Sequence, residues 1–266
     1  MPLGRRGRTN AAAGVGPWPR ALRWAPWGAA SAVAAAAASF GVLRAPSRPA
    51  GTGVTGSARA IDSHTLAVPR ASGVITIDGD TDDPGWGGPP EPARTGPFAL
   101  SNGAPASPYS EARLVWEGPY LFLALYAADE DIRSRGCPGA DASPGDDCAI
   151  NSFRLTLSRG ELQYVIEVSP RGIEDESIRS AHDASPRAWA SGAHVASERD
   201  GTPDDPSDTD EEWRVEMAIP LDAFGVRAEP GEALGLRLRR CDRPKNAATE
   251  CAQWGAGDVP GQIVLQ

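Results

Sequence analysis

Lysine is almost missing from this chain: Lys245 is the only one in 266 residues, and arginine carries the rest of the positive charge. We read this as a bias of composition before chemistry. Histidine is scarce too, with three residues. His64 falls in a linker-like stretch, and His182 and His194 fall in loop-like stretches without a paired nucleophile. There is no G-x-S-x-G string and no P-loop, so neither acyl transfer nor nucleotide hydrolysis has a recognisable site. Carboxylates are abundant, which leaves a glycosidase pair open, but nothing selects two of them. The cysteines show no C-x-x-C spacing and no histidine beside them, which speaks against a zinc site. No long helical repeat is present. Acid is absent from residues 1–44, where six arginines stand, so the net charge of −9 is +6 on that segment and −15 on the remainder. A body that acidic repels nucleic acid and anionic membrane surfaces.

What is present is a globular composition, 41% hydrophobic and 23% charged, in a length that allows one or two domains. Thirty glycines and 25 prolines predict extensive turns and loops. Residues 1–27 are basic, and residues 28–43 (GAASAVAAAAASFGVL) are uncharged and mostly small and apolar. This is the layout of a secretory signal, or of an N-terminal membrane anchor if it is not cleaved. The four cysteines agree with export. Cys137 with Cys148, and Cys241 with Cys251, each flank a short polar loop. Two local disulfides in an oxidising compartment are the favoured pairing among the three that four cysteines allow.

Residues 45–72 read as a flexible linker rich in Pro, Gly, Ser and Ala. Its GTGVTG string matches a dinucleotide fingerprint by letter only, since no strand precedes it and no helix follows. From residue 73 the chain reads as strands and turns. VITID (Val74–Asp78) is expected as a short strand. ARLVWE, a Gly118–Pro119 turn and YLFLALYAAD form a hairpin whose second strand is apolar on both faces. Phe153, Leu155 and Leu157 alternate with polar residues, and Leu162 to Val168, Trp213 to Ile219 and Leu234 to Leu238 alternate with mostly polar or small ones. Period-two alternation puts one face on a core and one toward solvent. Only LDAFGV, after Pro220, looks helical. The predicted fold is all-β: a two-sheet antiparallel β-sandwich of jelly-roll or immunoglobulin-like type over residues 73–266.

Four strings, in order, carry a family resemblance. ITIDGDTDDPGW (Ile75–Trp86), RLVWEGPYLFLALYAADED (Arg113–Asp131), EEWRVEMAIPLDAFGV (Glu211–Val226) and PGEALGLRLRRCD (Pro230–Asp242) resemble the family 9 carbohydrate-binding modules. The resemblance implies a β-sandwich that binds sugar chain ends between tryptophans and carries structural calcium. Related sandwiches serve as haem-binding redox domains. The chain departs from the pattern after Asp146 and Asp147, where Ile150 and Asn151 stand near the place of a family glutamate. Modules of this kind often accompany a catalytic domain, so carbohydrate catabolism through a partner is a further expectation.

A sugar face stacks on exposed, rigid indole rings. Trp86 and Trp213 are expected in the core, whereas Trp189, Trp254 and Trp116 are the candidate platforms. Arg113, Asn151, Glu167, Arg237 and Arg239 are the candidate hydrogen-bonding partners, and bidentate arginine also suits a uronic acid. The bland alternative is a cross-strand ladder of ion pairs on a solvated face. Asp78, Asp80 and Asp82, and Asp129 with Asp131, are candidate calcium ligands, although the first group is no EF-hand loop, because Asp83 and Pro89 fall where Gly and Glu are needed. Haem is not favoured: its one axial candidate, Met217, sits on an inward stripe. The expectation is an exported, non-catalytic saccharide binder. A haem-binding redox sandwich and an envelope protein that has lost its ligand site stand as the alternatives.

Overall fold

A computed structural model describes residues 64–134, 151–180, 182–183, 185–205, 207–244, 249–255 and 260–266. The N-terminal segment, the GTGVTG string, Cys137, Cys148, Asp146 and Asp147 lie outside the described residues. The strands are β1 (Thr65–Val68), β2 (Ala93–Arg94), β3 (Ser110–Glu117), β4 (Tyr120–Ala128), β5 (Ser152–Arg159), β6 (Leu162–Ser169), β7 (Gly172–Ser180), β8 (Arg187–Ala188), β9 (His194–Asp200), β10 (Glu212–Pro220), β11 (Ala233–Asp242), β12 (Glu250–Trp254) and β13 (Gly261–Leu265).

They form the two sheets that the alternation predicts. One runs β1-β13-β11-β5-β6-β7-β8, with β12 also on β11; the other runs β2-β3-β4-β10-β9. All pairings are antiparallel except β1 with β13. That parallel strand lies inside the stretch read as linker, and it ties Thr65–Val68 to the last strand of the body.

The core is the meeting of the two inward faces. Phe153, Leu155, Leu157, Ile166, Leu236 and Leu238 come from one sheet, and Leu114, Leu123, Leu125, Val215 and Met217 from the other, all fully buried or nearly so. Each such side chain contributes about 1.5–3 kcal/mol of transfer free energy. Met217 is thus a core residue, as its stripe predicts. The LDAFGV segment makes a single 3₁₀ turn at Leu221–Phe224, closed by Gly225 in the left-handed region.

VITID does not form a strand, contrary to expectation. The segment Ala71–Trp86 instead crosses the outer face of the five-stranded sheet. There Trp86 packs with Val115 and Ala124, and Ala71, Ile75 and Phe122 flank them. Its backbone is held by side chains and turns rather than by a ladder: Thr76 N–H donates to Asp83 Oδ2 at 2.5 Å, and Gly85 N–H to the Val74 carbonyl at 3.1 Å. This cover explains why β4 is apolar on both faces.

Candidate functional site

The outer face of the eight-stranded sheet gathers three of the sequence-selected residues. Register places Arg239, Arg154, Glu167 and Asp175 in one row across β11, β5, β6 and β7. The adjacent row holds Arg237, Thr156, Val165 and Ser177. Their outward direction follows from the pleat, since Leu236, Leu238, Leu155 and Ile166 point inward. Arg154 grips Glu167 through Nε at 3.0 Å and NH2 at 2.6 Å, and Ser152 Oγ donates to the other carboxylate oxygen at 3.0 Å. Arg239 NH2 lies 3.0 Å from Cys251 Sγ. Val165 and Ser177 are buried although they point outward, so longer side chains close over the middle of the strip. Glu167 and Arg239 therefore stand on either side of Arg154 in one row, with Arg237 in the adjacent row of the same face. Sequence reading missed Arg154, which the same alternation would have supplied.

Arg113 stands on the opposite side of the molecule, on the outer face of the five-stranded sheet. It lines a shallow hollow with Thr81, Glu111, Ala124, Tyr126 and Arg214. Burial, and then the neighbouring Arg94, lower its proton affinity.

The tryptophans do not form an open pair of platforms. Trp116 is 0% exposed: its Nε1–H donates to the Gln266 carbonyl at 3.1 Å, and the Arg70 guanidinium covers the ring, 3.9 Å from its centroid. Trp254 is buried against the backbone of Gly261, where an added Cβ would come within 2.5 Å of the indole. The expectation that these two rings face solvent is corrected on both counts: each fills space between strands that meet at the β13 side of the sandwich. Trp189 is half-buried, its ring against Tyr164 at 5.1 Å and Phe224 at 5.6 Å. Trp86 and Trp213 are buried, as expected.

Asn151 is wholly buried and belongs to an internal polar cluster. Its Nδ2 donates to Asp129 Oδ2 and to Asp242 Oδ1, each at 2.6 Å. Arg240, 3% exposed, reaches Asp129 at 3.0 Å, Asp242 at 3.1 Å and Ser110 Oγ at 3.2 Å. Trp213 Nε1–H donates to Asp129 Oδ2 at 3.0 Å. Burial raises Asp129 above the ordinary carboxylate range, and it pushes Asp242 up to about 6, with the nearby Asp129 charge adding to the rise and Arg240 opposing it. Such a buried cluster holds the strand ends in register; with Asn151 inside it, no route to a ligand on the surface remains for that side chain.

The candidate calcium ligands other than Asp82 are engaged in contacts within the protein. Asp78 Oδ1 accepts the Asp80 N–H, Asp80 pairs with Arg214 at 3.2 Å, and Asp82 is exposed. Asp129 is held by Arg240, and Asp131 by Arg133 at 2.7 Å. Among the described residues no three His, Cys, Asp or Glu side chains converge as a metal site. Arginine already supplies the positive charge beside both acidic groups.

Two of the resemblance strings meet in one contact. Glu216, on β10 and fully buried, accepts Trp86 Nε1–H at 2.6 Å and the N–H groups of Asp78 and Gly79 at 3.1 Å each. Gly79 has φ +98 and lies against the β9 backbone, where a Cβ would be 2.9 Å from Glu198 N. The IDG string and its tryptophan thus fasten the covering segment to the sheet.

No protein-family model matches the sequence, and no curated protein matches it. Solved structures do match the fold. An inferred carbohydrate-binding protein from Bacteroides uniformis ATCC 8492 aligns with TM-score 0.55 at 15% identity, over 76% of this chain and 99% of that one. A family 9 carbohydrate-binding module from Caldicellulosiruptor kristjanssonii, in complex with cellotriose, aligns with TM-score 0.52 at 16% identity, over 76% of this chain and 93% of that one. The described body of this chain has the two-sheet β-sandwich fold of these structures, that of a family 9 carbohydrate-binding module among them.

Proposed function

We propose that this is an exported, non-catalytic protein that binds a saccharide on the outer face of its eight-stranded sheet. The observation that carries the reading is the register that sets Arg239 and Glu167 on either side of Arg154, with Arg237 in the next row of the same face. Guanidinium groups donate in pairs to vicinal hydroxyls, and a carboxylate beside them accepts, so the strip suits a polyol laid across the strands. The two fold neighbours named for carbohydrate binding support this ligand class. The Cys241–Cys251 disulfide across β11 and β12 supports an oxidising compartment. With Trp116 and Trp254 inside and Trp189 packed on Tyr164 and Phe224, the contact is polar.

The test is binding of neutral and acidic oligosaccharides on an array, followed by calorimetry with the wild type and with Arg237→Ala/Arg239→Ala. Losing charge-assisted hydrogen bonds worth ~1.5–3 kcal/mol each predicts a loss of about tenfold or more. Unchanged affinity in the double variant would refute the site.

The burial of Trp116 and Trp254 favours a second reading, an envelope-interaction protein that keeps the sandwich without a sugar site. Absence of binding to every glycan on the array selects it.

A further inference from the structure

The row beyond Arg237 on the outer face of the eight-stranded sheet ends on an arginine that the protein leaves without a partner. Register places Gly235, Ser158, Gln163 and Arg179 side by side across β11, β5, β6 and β7. They point outward, because their alternate neighbours Leu234, Leu157, Tyr164 and Ile178 pack in the core. The row spans three strand spacings, about 14 Å. It runs from Arg179 and the exposed amide of Gln163 to the half-buried hydroxyl of Ser158 and a glycine, and no carboxylate stands in it.

Arg179 is half-buried, and its Nε–H is buried without an acceptor. Among the described residues no carboxylate pairs with it. The acids that register brings nearest are engaged or distant. Glu161, at the turn between β5 and β6, faces His182 Nε2 at 2.9 Å, and Glu167 is gripped by Arg154. Asp175 stands four residues along β7, about 13 Å away. Buried donors without acceptors are rare, because each costs the desolvation of the group. With Nε covered, the side chain lies along the sheet and its head stays at the surface. Much of its rotamer freedom is already lost, so an acceptor arriving from solvent meets a pre-set fork.

We propose that the saccharide held on this face is a largely neutral chain bearing isolated oxyanions, uronate carboxylates or sulfate esters, one of which seats on Arg179. The inference rests on the saccharide reading of this face and adds the class of saccharide to it. The guanidinium fork meets an oxyanion with two parallel, charge-assisted hydrogen bonds, whereas a neutral hydroxyl offers it no charge. Gln163 and Ser158 serve the hydroxyls of the same chain along the row. The acidic body limits the ligand in the other direction. It repels a densely charged polyanion at long range, but a single acid on a neutral chain is governed by what lies within a Debye length, about 8 Å at physiological salt.

The test is a ¹H–¹⁵N titration of the full chain with methyl glucoside, methyl glucuronide, glucose 6-sulfate and acetate, following the Arg179 side-chain Nε–H and the backbone signals of Gln163 and Arg179. Burial of that Nε–H slows its exchange with water and keeps the signal observable. Methyl glucuronide, glucose 6-sulfate or both should bind saturably and at least about tenfold more tightly than methyl glucoside and acetate. The tighter of the two names the oxyanion. Arg179→Gln, which keeps most of the stem, should bring the acidic sugars down to the affinity of methyl glucoside, with the backbone spectrum away from β7 unchanged. Arg179→Lys, which keeps the charge without the fork, should retain part of the gain. Acidic sugars that bind no more tightly than methyl glucoside or acetate, or an unaltered response in Arg179→Gln, would overturn the proposal. Shifts at Arg154, Glu167, Arg237 and Arg239 with methyl glucoside, and no gain from either acidic sugar, refute this inference alone. Silence of the whole face toward all four probes refutes it together with the saccharide reading.

Discussion

Trp86 Nε1–H donates to Glu216 Oε1 at 2.6 Å, inside a contact that joins residues 130 positions apart in sequence. The other oxygen of Glu216 takes two backbone N–H groups from Asp78 and Gly79. Burial raises the proton affinity of Glu216, and these three donors oppose the rise. One carboxylate therefore pins the entire covering segment to the outer face of the five-stranded sheet, and with it the Thr81 rim of the hollow.

Removing that carboxylate should be costly. Glu216→Ala strands three donors, two of them on the backbone, and buried donors without partners cost about 1–3 kcal/mol each. We expect a loss of at least about 3 kcal/mol in urea unfolding. Glu216→Gln keeps an acceptor oxygen and should lose less. Equal and small losses in both variants would show that the segment is held by packing of Trp86 alone.

Stability should fall as pH rises through the range set by Asp242. Burial pushes its folded-state pKa up to about 6 from the ordinary aspartate value of 3.8. Between those two values the folded chain binds more protons at this site than the unfolded one, so the slope of stability with pH is negative there. The Asp242 contribution is most favourable below about pH 4, and its penalty is complete above about pH 6. Asp242→Asn should flatten this part of the profile, measured by urea midpoints from pH 4 to pH 7. A wild-type profile that the substitution leaves unchanged would contradict the assignment.

The Cys241–Cys251 bridge joins directly paired residues of β11 and β12, with a sequence separation of 10. The chain-entropy estimate for so short a loop is about 3 kcal/mol. Cys241→Ser/Cys251→Ser should lower the urea midpoint accordingly while leaving the far-ultraviolet dichroism of the sandwich in place. No change in midpoint would mean that the β11–β12 ladder holds this end without it.

Legibility in the sequence followed period and locality. The alternating strands and the hairpin at Gly118 were readable because side-chain direction along a strand is a local property. Glu167, Arg237 and Arg239 were marked for the same reason, and register placed them on one face around Arg154. Residues whose role depends on distant contacts were not readable. Trp116 and Trp254 look like rim aromatics by sequence position, yet the parallel docking of β1 onto β13 and the Gly261 backbone enclose that region. Asn151 has a surface residue's composition but ends between Asp129 and Asp242. VITID has the letters of a strand, but Asp83 and Glu216 take N–H groups of this segment (Glu216 those of Asp78 and Gly79).

The central claim is the location of the ligand on the eight-stranded sheet. Its most direct measurement is a ¹H–¹⁵N titration with a neutral oligosaccharide that binds on the array. The account predicts saturable shifts at Arg154, Glu167, Arg237 and Arg239, contiguous across β5, β6 and β11. Saturable shifts elsewhere, with this face silent, would contradict it.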